Sequence, residues 1–439
     1  MKINAMNIET KTVDLTIEQA ANESSYRLSR RDYLKLVVPP LIGCASTTIS
    51  RRPLQAASSP TAKSIAAVVT IYRRDSHADV ILGKILEGWK HDLGRGPTLK
   101  LAALYVDQFP SDDLARSMCD KYGVPIFESI EKALTIGGDH IAVDGVISIG
   151  EHGDYPHNEF GQHLYPRKRF FAQIADAMEK HERVVPVFND KHLGPTWTDA
   201  KWMYDRAAQM KIPFMAGSSM PVGFRIGKAN LPLGCELECA VGIGYSGLDV
   251  YGSHALEFYQ YHVERRRGAE QGVKSVQCLS GPEIWKVVDS GRVSRAAFEA
   301  AFAIVPKQGQ LDPRQDEAAR LFLFEYTDGM VGAVFMLGCV SGTGVGLKLK
   351  GIEQPFATAF DERSEPRYPH FAYLVKAIER MMHTRRVTYP VERTLLTSGI
   401  LDAALHSLAQ DGKAIATPHL AISYQPVAYP HADEVDLNS

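Results

Sequence analysis

The chain has 439 residues, of which 45% are hydrophobic and 23% are charged, and its formal net charge at pH 7 is −2. This length exceeds the size that one hydrophobic core usually serves, so we expect two domains. The near-neutral charge excludes the basic surface that nucleic-acid binding requires, and six scattered cysteines exclude a disulfide scaffold. Cys235 and Cys239 stand close together, but no second cysteine pair completes a zinc site, so we predict no metal there.

Residues 1–63 are predicted to form an export leader followed by a linker. The segment SRRDYLKLVVPPLIGC places Arg30 and Arg31 before a short apolar run. It resembles a twin-arginine export signal, and its last four letters resemble a bacterial lipobox that ends at Cys44. We therefore predict a protein of the periplasm or the outer face of the membrane, with a lipid anchor at Cys44. The alternative, which the Pro-Pro pair in the apolar run favours, is a basic leader on a cytoplasmic protein.

The folded region starts with a continuous β-branched run at residues 64–72, which is typical of a strand buried on both faces of a parallel sheet. Strand and helix patterns then alternate to about residue 220. Further strands are predicted at 99–107, 143–150, 183–188 and 212–217, and helices near 111–122, 166–182 and 198–210. Because this alternation implies right-handed βαβ units, residues 64–220 are predicted to form a Rossmann-like, doubly wound parallel sheet that binds a nucleotide.

The second half of the chain has a different pattern. The segments GVKSVQCLSG, RLFLFEYTDG and VGAVFMLGCV indicate strands, and Asp328-Gly329 between the last two is a strong hairpin signal. Helices are predicted near 253–267 and 367–381, with a last amphipathic helix from about 392. We therefore predict an α+β domain with an open, mostly antiparallel sheet at 221–425, followed by a C-terminal tail at 426–439.

The turn after the first strand departs from the usual dinucleotide-binding motif. Ligands of doubly wound sheets bind beyond the carboxyl ends of the strands, where a G-x-G-x-x-G turn normally lets the backbone approach a pyrophosphate. Here the turn reads IYRRDSHADV and contains no glycine. The side chains of Tyr72, Arg73 and Arg74 would crowd that place, which argues against the usual cofactor pose.

Other features of the same region favour a nucleotide. The helix that follows the turn offers free N–H groups and a positive dipole end to an anion, with Asp75 or Ser76 as its cap. Arg73 and Arg74 could contact phosphate through their guanidinium groups. Asp107 ends the second strand, where such folds place a carboxylate on the ribose hydroxyls, although a simple cap of the approach to the next helix is an equal alternative.

The order of elements resembles the glucose–fructose oxidoreductase and inositol dehydrogenase family, Gfo/Idh/MocA. Three segments carry the resemblance: MEKHERVVPVFNDKHLG, TDAKWMYDRAAQMKIPFMAGSSM and YGSHALEFYQYHVERRRGAEQGVKSVQCL. The resemblance implies NAD or NADP as a cofactor, tightly held if the protein is exported. It also implies hydride transfer to or from a secondary alcohol of a sugar, polyol or related compound, and a homo-oligomer.

The resemblance also implies catalytic roles for particular residues. Lys191 corresponds to the family lysine that hydrogen-bonds the reacting hydroxyl near the nicotinamide, and His254 corresponds to the histidine that acts as general base. Asp249 lies one place before the position of the family aspartate. The catalytic candidates are Lys191, His254, Asp249 and Asp190.

The loop after the strand at 143–150 is expected to face the same site, since such loops lie at the carboxyl edge of the sheet. In the resembled family its backbone lies along the cofactor. The cofactor candidates are Tyr72, Arg73, Arg74, Ser76, Asp107, Gly150, Glu151, His152 and Lys191, and the substrate candidates are His157, Tyr155, His192 and Tyr251.

Two other functions are open on the same residues. His152 and His157 with Asp190 or His192 could instead bind a divalent metal in a lyase or hydrolase, although their spacing matches no metal motif. A non-catalytic binding protein is the other alternative. The missing glycines favour these two functions, whereas Lys191 and His254 favour the oxidoreductase.

Overall fold

The computed structural model describes residues 61–227, 231–309 and 312–437. Residues Pro60–Ser439 form one compact unit. The predicted export leader, including Arg30, Arg31 and Cys44, lies outside the described residues. Within them, no helix has the length and apolar character needed to cross a membrane.

The first half of the described chain alternates strands and helices. The strands are β1 (Lys63–Val69), β2 (Leu99–Val106), β3 (Ile126–Phe127), β4 (Gly145–Ile149), β5 (Val187–Asp190) and β6 (Phe214–Gly217). The helices are α1 (His77–Glu87), α2 (Ala115–Tyr122), α3 (Ile130–Thr135), α4 (Arg167–Lys180) and α5 (Trp197–Met210). The strands are all parallel and lie in the order β3-β2-β1-β4-β5-β6, which is that of a doubly wound nucleotide-binding sheet. The predicted Rossmann-like fold is confirmed.

Local signals explain where several of these helices begin and end. The side chain of Ser76 accepts a hydrogen bond from the backbone N–H of Asp79 at the start of α1, and Thr196 caps α5 in the same way. Helix α2 ends at Gly123, whose φ of 64° lies in the left-handed region that glycine adopts without strain. The β1–α1 turn and the loop after β4 each follow a strand of the parallel sheet, so both lie at its carboxyl edge.

The second half forms a mixed sheet of eight strands. They are β7 (Arg225–Ile226), β8 (Leu237–Tyr245), β9 (Val273–Ser280), β10 (Arg320–Tyr326), β11 (Val331–Leu337), β12 (Gly344–Leu349), β13 (Phe356–Phe360) and β14 (Ile415–Ala416). Their order is β14-β9-β10-β11-β8-β12-β13-β7, and every pair is antiparallel except β11 with β8. The predicted open, mostly antiparallel sheet is confirmed, as is the hairpin at Asp328-Gly329 between β10 and β11.

Both faces of this second sheet carry helices. The second half of the chain contains α6 (Val250–Val263), α7 (Pro282–Asp289), α8 (Arg295–Ile304), α9 (His370–Thr384) and α10 (Glu392–Leu408), and all of them except α9 pack on this sheet. One core joins α6 and α10 to the sheet, and another joins α7 and α8 to its opposite face. Helices α7 and α8 were not predicted, although Pro282 in the first turn of α7 and the Ser294 cap of α8 are recognisable start signals.

Helix α9 packs away from the sheet that precedes it in sequence. Its residues Phe371, Leu374 and Ile378 share a buried cluster with Ile81 of α1, so α9 covers one face of the parallel sheet. Tyr429, in the segment predicted as a C-terminal tail, packs against the same cluster. The predicted boundary near residue 220 separates the two sheets in sequence, and that near 425 follows the last strand. The packing crosses both boundaries, which stay a prediction.

Candidate functional site

A cleft of about 770 Å³ lies between the carboxyl edge of the parallel sheet and the second sheet. Both halves of the chain contribute polar and aromatic side chains to its walls. The walls include His77, Glu151, His152, Tyr165 and Lys191 on one side and Tyr245, Tyr251, His254, Tyr368, His370 and Phe371 on the other. The cleft therefore brings Lys191 together with His254 and Tyr251, which lie about 60 residues further along the chain.

Glu151 is the centre of a buried charge network beside this cleft. Its carboxylate accepts hydrogen bonds from Lys191 Nζ at 2.8 Å and from the guanidinium of Arg167 at 2.6 Å. The same guanidinium lies 3.0 Å from His192 Nε2. Thr70 at the end of β1 holds the backbone of Glu151 with two further hydrogen bonds. The ends of β1, β4 and β5 are thus tied together by one residue.

The charge of Glu151 is fixed by its neighbours. Burial on its own would raise the pKa of this carboxyl, but the adjacent cations Lys191 and Arg167 outweigh burial and hold its pKa well below the usual range. Glu151 is therefore a carboxylate at neutral pH. Because it orients the ammonium of Lys191 at the cleft wall, it is a positioning residue for that lysine.

Lys191 has an unusual backbone conformation at the end of β5. Its φ is 61°, in the left-handed region, and its N–H donates to the carbonyl of Gly217 on β6. A non-glycine residue in this region stores a small strain, which is common at functional sites. The side chain that results is 4% exposed and is directed at Glu151.

His254 lies on the first turns of α6 and faces the cleft from the second half of the chain. Its Nδ1 is buried and has no hydrogen-bond partner among the described residues. Burial, together with the nearby cation Lys191, holds the pKa of this imidazole well below its usual range. The ring is therefore neutral at physiological pH and can accept a hydrogen bond.

Asp249 precedes His254 by one helical turn but does not contact it. Its carboxylate accepts a hydrogen bond from the backbone N–H of His163, and it is not part of the cleft wall. Burial raises its pKa above the usual range. Asp249, a predicted catalytic residue, therefore holds the loop after β4 rather than lining the cleft.

His77 is a cleft residue that the sequence analysis did not identify. Its Nδ1 lies 2.6 Å from Oδ2 of Asp190, whose side chain is fully buried at the end of β5. Asp190, a predicted catalytic residue, therefore contacts His77 and is not part of the cleft wall. Its position in the sequence could have identified it. His77 is the first residue of α1, and α1 starts at the same sheet edge where β5 ends.

The β1–α1 turn differs from the prediction in one respect. Tyr72 is fully buried in the core beneath the turn and does not reach either cleft, so its predicted contact with a cofactor is wrong. Ser76 is occupied as the cap of α1. Arg73 and Arg74 are exposed, and Arg73 forms part of a second cleft.

This second cleft, of about 670 Å³, lies at the carboxyl ends of β1, β2 and β4. Its walls include Ile71, Arg73, Gln108, Phe109, Pro110, Gly153, Asp154 and His163, and it shares His152 and Tyr165 with the first cleft. His163, a residue absent from the predicted set, has a buried Nε2 without a partner among the described residues. The two clefts together follow the edge along which dinucleotides lie in sheets of this order.

Asp107 does not occupy the second cleft. Its carboxylate accepts hydrogen bonds from Tyr105 at 2.8 Å, Tyr155 at 2.7 Å and Arg169 at 2.6 Å. These three donors engage both of its oxygens, and Asp107 is not part of either cleft wall, so its contact with ribose hydroxyls stays a prediction. Tyr155, predicted to bind substrate, is committed to the same carboxylate.

Two further substrate candidates also lie elsewhere. His157 is exposed and stacks on His163 with ring centroids 4.1 Å apart, outside both cleft walls. His192 is buried against Arg167. Gly150 sits where an added Cβ would lie 2.7 Å from Arg167 Cγ, so its role is to admit that arginine rather than to face a ligand. Of the four substrate candidates, only Tyr251 lies in a cleft wall.

The structure does not assemble the residues of the metal alternative. Within the described ranges, no three His, Cys, Asp or Glu side chains are arranged to hold a metal ion. His152 lies in the cleft walls and burial lowers its pKa to about 4, whereas His157 is not part of either cleft wall. Cys235 and Cys239 are free thiols.

The residues fit a dinucleotide, but not in the usual pose at the glycine turn. At the start of α1, Asp79 accepts a hydrogen bond from the backbone N–H of Asp75, and the guanidinium of Arg367 pairs with both carboxylates. These charges occupy the place where a glycine turn holds pyrophosphate. A ligand that lies beside the turn could nevertheless occupy the two clefts, which share His152 and Tyr165. Arg73 is exposed there, and His163 and His254 each have a ring nitrogen without a partner among the described residues.

Comparison with known proteins adds the fold relationship. Neither a protein-family model nor a curated protein matches this sequence. Among solved structures, GenD2 from gentamicin A biosynthesis, in complex with NAD, aligns over 86% of this chain and 99% of its own, with a TM-score of 0.51 and 12% identity.

Two inositol dehydrogenases show the same level of similarity. A myo-inositol dehydrogenase from Corynebacterium glutamicum ATCC 13032 aligns over 81% of this chain and 98% of its own, with a TM-score of 0.51 and 12% identity. The apo scyllo-inositol dehydrogenase from Lactobacillus casei also covers 81% and 98%, with a TM-score of 0.50 and 11% identity. The chain therefore has the fold of these structures, a parallel sheet followed by a mixed, mostly antiparallel sheet, as the resemblance found in the sequence predicted.

Proposed function

We propose that this protein is a NAD(P)-dependent oxidoreductase that acts on a secondary alcohol of a sugar, polyol or related compound. The observation that carries the proposal is the meeting of Lys191 and His254 in the walls of one cleft. This cleft lies at the carboxyl edge of a sheet with the strand order of nucleotide-binding domains. The NAD complex of a structural neighbour supports the choice of cofactor.

The chain's own residues suit the handling of a hydroxyl group. Lys191, oriented by Glu151 at 2.8 Å, can donate a hydrogen bond to the hydroxyl oxygen and stabilise the negative charge that develops there. His254 lines the same cleft and its ring is neutral, so the ring can accept a hydrogen bond from the same group or its neighbour. A nicotinamide, when bound, would supply the hydride acceptor.

The far wall of the cleft favours a polyhydroxylated substrate. The rings of Tyr245 and Tyr251 lie 4.9 Å apart, and the hydroxyl of Tyr245 lies 3.3 Å from the carboxylate of Glu362. Aromatic faces and carboxylates are the groups that stack on a sugar-like ring and accept hydrogen bonds from its hydroxyls. Myo-inositol and scyllo-inositol are sensible first probes because structural neighbours are dehydrogenases of these compounds.

The first experiment is to purify the full chain gently, denature it, and measure released NAD(H) and NADP(H) by mass spectrometry. We expect a near-stoichiometric nucleotide, since a protein exported with its leader would meet little free cofactor. Wild-type protein is then assayed with both nucleotides against the two inositols and a panel of aldoses. A protein that releases no nucleotide, binds none that is added and oxidises no compound of the panel would refute the proposal. It would leave a base-assisted lyase or hydrolase in the same cleft as the alternative.

A further inference from the structure

His77 in the cleft wall and the buried Asp190 form a hydrogen-bonded pair. The proposed roles of Lys191 and His254 do not involve this pair. The carboxylate of Asp190 is fully buried, and His77 Nδ1 at 2.6 Å is its only side-chain partner among the described residues. The edge of the Phe371 ring packs against the imidazole with centroids 5.0 Å apart, and His152 packs against it at 5.7 Å. The ring is therefore held in one orientation.

This orientation leaves one nitrogen of His77 for a ligand. Since Nδ1 faces the carboxylate, the neutral ring carries its proton there, and the unprotonated nitrogen is Nε2. No hydrogen bond engages Nε2 within the described part of the chain, and the ring is part of the cleft wall beside Lys191. A carboxylate that fixes the tautomer and faces a developing imidazolium is the arrangement by which a histidine becomes an effective base.

His254 is less suited to keep a proton. Burial and the neighbouring Lys191 both disfavour its charged form, so a proton placed on it would be expensive. An imidazolium at His77 would instead lie against the buried carboxylate of Asp190, which has no cation of its own among the described residues. His77 and His254 thus differ in the charge that each faces.

We propose that His77, oriented by Asp190, is the group that takes the proton from the substrate hydroxyl. The proposal rests on the proposed function and deepens it. In the step, the O–H bond breaks and its electron pair forms the carbonyl π bond, while the C–H hydride leaves to a nicotinamide acceptor. The proton forms a new N–H bond at Nε2 of His77. His254 then serves to orient the hydroxyl, and Asp190 is a positioning residue.

The pair is tested first without any substrate, by alkylation with iodoacetamide and peptide mapping by mass spectrometry. An unprotonated imidazole nitrogen displaces iodide, and its reactivity depends on the group that faces the opposite nitrogen. We expect Asp190→Asn to slow alkylation of His77 by about tenfold or more. The matched control is the exposed pair His140 and Asp139, at 2.9 Å, where Asp139→Asn should change alkylation of His140 less than about twofold because solvent screens it.

Absence of alkylation at His77, or a rate that Asp190→Asn does not change, would overturn the proposal. If Asp190→Asn does not fold, the variant His77→Gln decides the matter, since residue 77 lies at a helix start and reaches the cleft surface. With a compound that wild type oxidises, His77→Gln should lower kcat by about 100-fold or more while nucleotide content and KM stay close to wild type. His140→Gln is the control and should leave kcat unchanged.

A loss of kcat confined to His254→Gln, with His77→Gln fully active, would assign the proton to His254 and refute the inference. Failure of the proposed function is a separate result. In that case wild type oxidises no compound of the panel, while the alkylation rates still report whether Asp190 activates His77.

Discussion

The ammonium of Lys191 lies 2.8 Å from a carboxylate oxygen of Glu151, and both side chains are almost completely buried at the edge of the cleft. The two residues belong to different loops, one after β4 and one after β5. The second oxygen of Glu151 is bound by Arg167, so the carboxylate contacts two cations. Breaking one partner of such a buried network is costly because it leaves an uncompensated charge.

Replacement of Lys191 by alanine is expected to abolish most turnover. The change removes the donor that stabilises charge on the substrate oxygen, and kcat should fall by about 100-fold or more. Lys201 is the matched control, since its ammonium pairs with Asp205 at 2.7 Å on the surface of α5. Lys201→Ala should leave kcat within about twofold of wild type. Steady-state assays of both variants check this, and an active Lys191→Ala enzyme would contradict the proposed role.

Replacement of Glu151 by glutamine is expected to destabilise the protein at neutral pH. The variant strands Lys191 and Arg167 without their carboxylate, so the free energy of unfolding at pH 7 should fall by about 3–5 kcal/mol. Urea unfolding monitored by circular dichroism measures this. Glu128→Gln, which removes a carboxylate exposed on the surface, is the control and should have little effect.

The same variant has a defined pH dependence. The folded-state pKa of Glu151 lies well below its usual range, so the unfolded chain takes up the proton first as pH falls. The stabilisation by the carboxylate is complete above about pH 4.5 and is lost as pH falls through the lower, folded-state pKa. The stability difference between wild type and Glu151→Gln should therefore be constant from pH 7 to pH 5 and shrink below. A difference that grows on acidification would contradict the assignment of charge.

Replacement of Gly150 by alanine is expected to disturb the network of Glu151, Lys191 and Arg167 through packing alone. The added methyl group would lie 2.7 Å from Arg167 Cγ, and overpacking of this kind typically costs about 1–3 kcal/mol. Gly247, where an added Cβ meets nothing within 4 Å, is the matched control. Thermal melts should show a clear loss of stability for Gly150→Ala and almost none for Gly247→Ala. Equal melting temperatures would show that Arg167 can move aside.

The leader predicts export, and this is tested in a bacterial host. We expect the double variant Arg30→Lys, Arg31→Lys to keep the full-length precursor in the cytoplasm, because the paired arginines are read by the export machinery. Cys44→Ala should leave export intact but release the protein from the membrane fraction. Cell fractionation with immunoblotting distinguishes these outcomes. An unchanged distribution of the double variant would favour the cytoplasmic alternative.

Several parts of the fold followed from local pattern. The β-branched runs and the 3.6-residue periodicity between them predicted the parallel sheet, and Asp328-Gly329 predicted the β10–β11 hairpin. Helices α7 and α8 were not predicted, although Pro282 marks the start of α7 and Ser294 marks the start of α8. The position of α9 on the parallel sheet was also not predictable, since its apolar stripe, which includes Phe371 and Leu374, fits any apolar partner.

The candidate site was predicted less completely. Lys191, His254 and Tyr251 do meet in one cleft, and Glu151 and His152 lie beside them. In contrast, Tyr155 donates a hydrogen bond to Asp107, and Tyr72 is buried in the core. A strand-end position specifies the edge of the sheet on which a residue lies, but it does not specify which polar group will bind its side chain.

The sequence by itself determined the strand and helix alternation, the order of the two sheets and the absence of a glycine turn, because each is written in the spacing of neighbouring residues. The tertiary structure alone decided the partners: Glu151 with Lys191 and Arg167, and Asp190 with His77. These pairs join residues that are 16 to 113 positions apart. Such contacts arise when the loops at one sheet edge are brought together, and a buried charge then takes whichever donor lies within hydrogen-bonding distance.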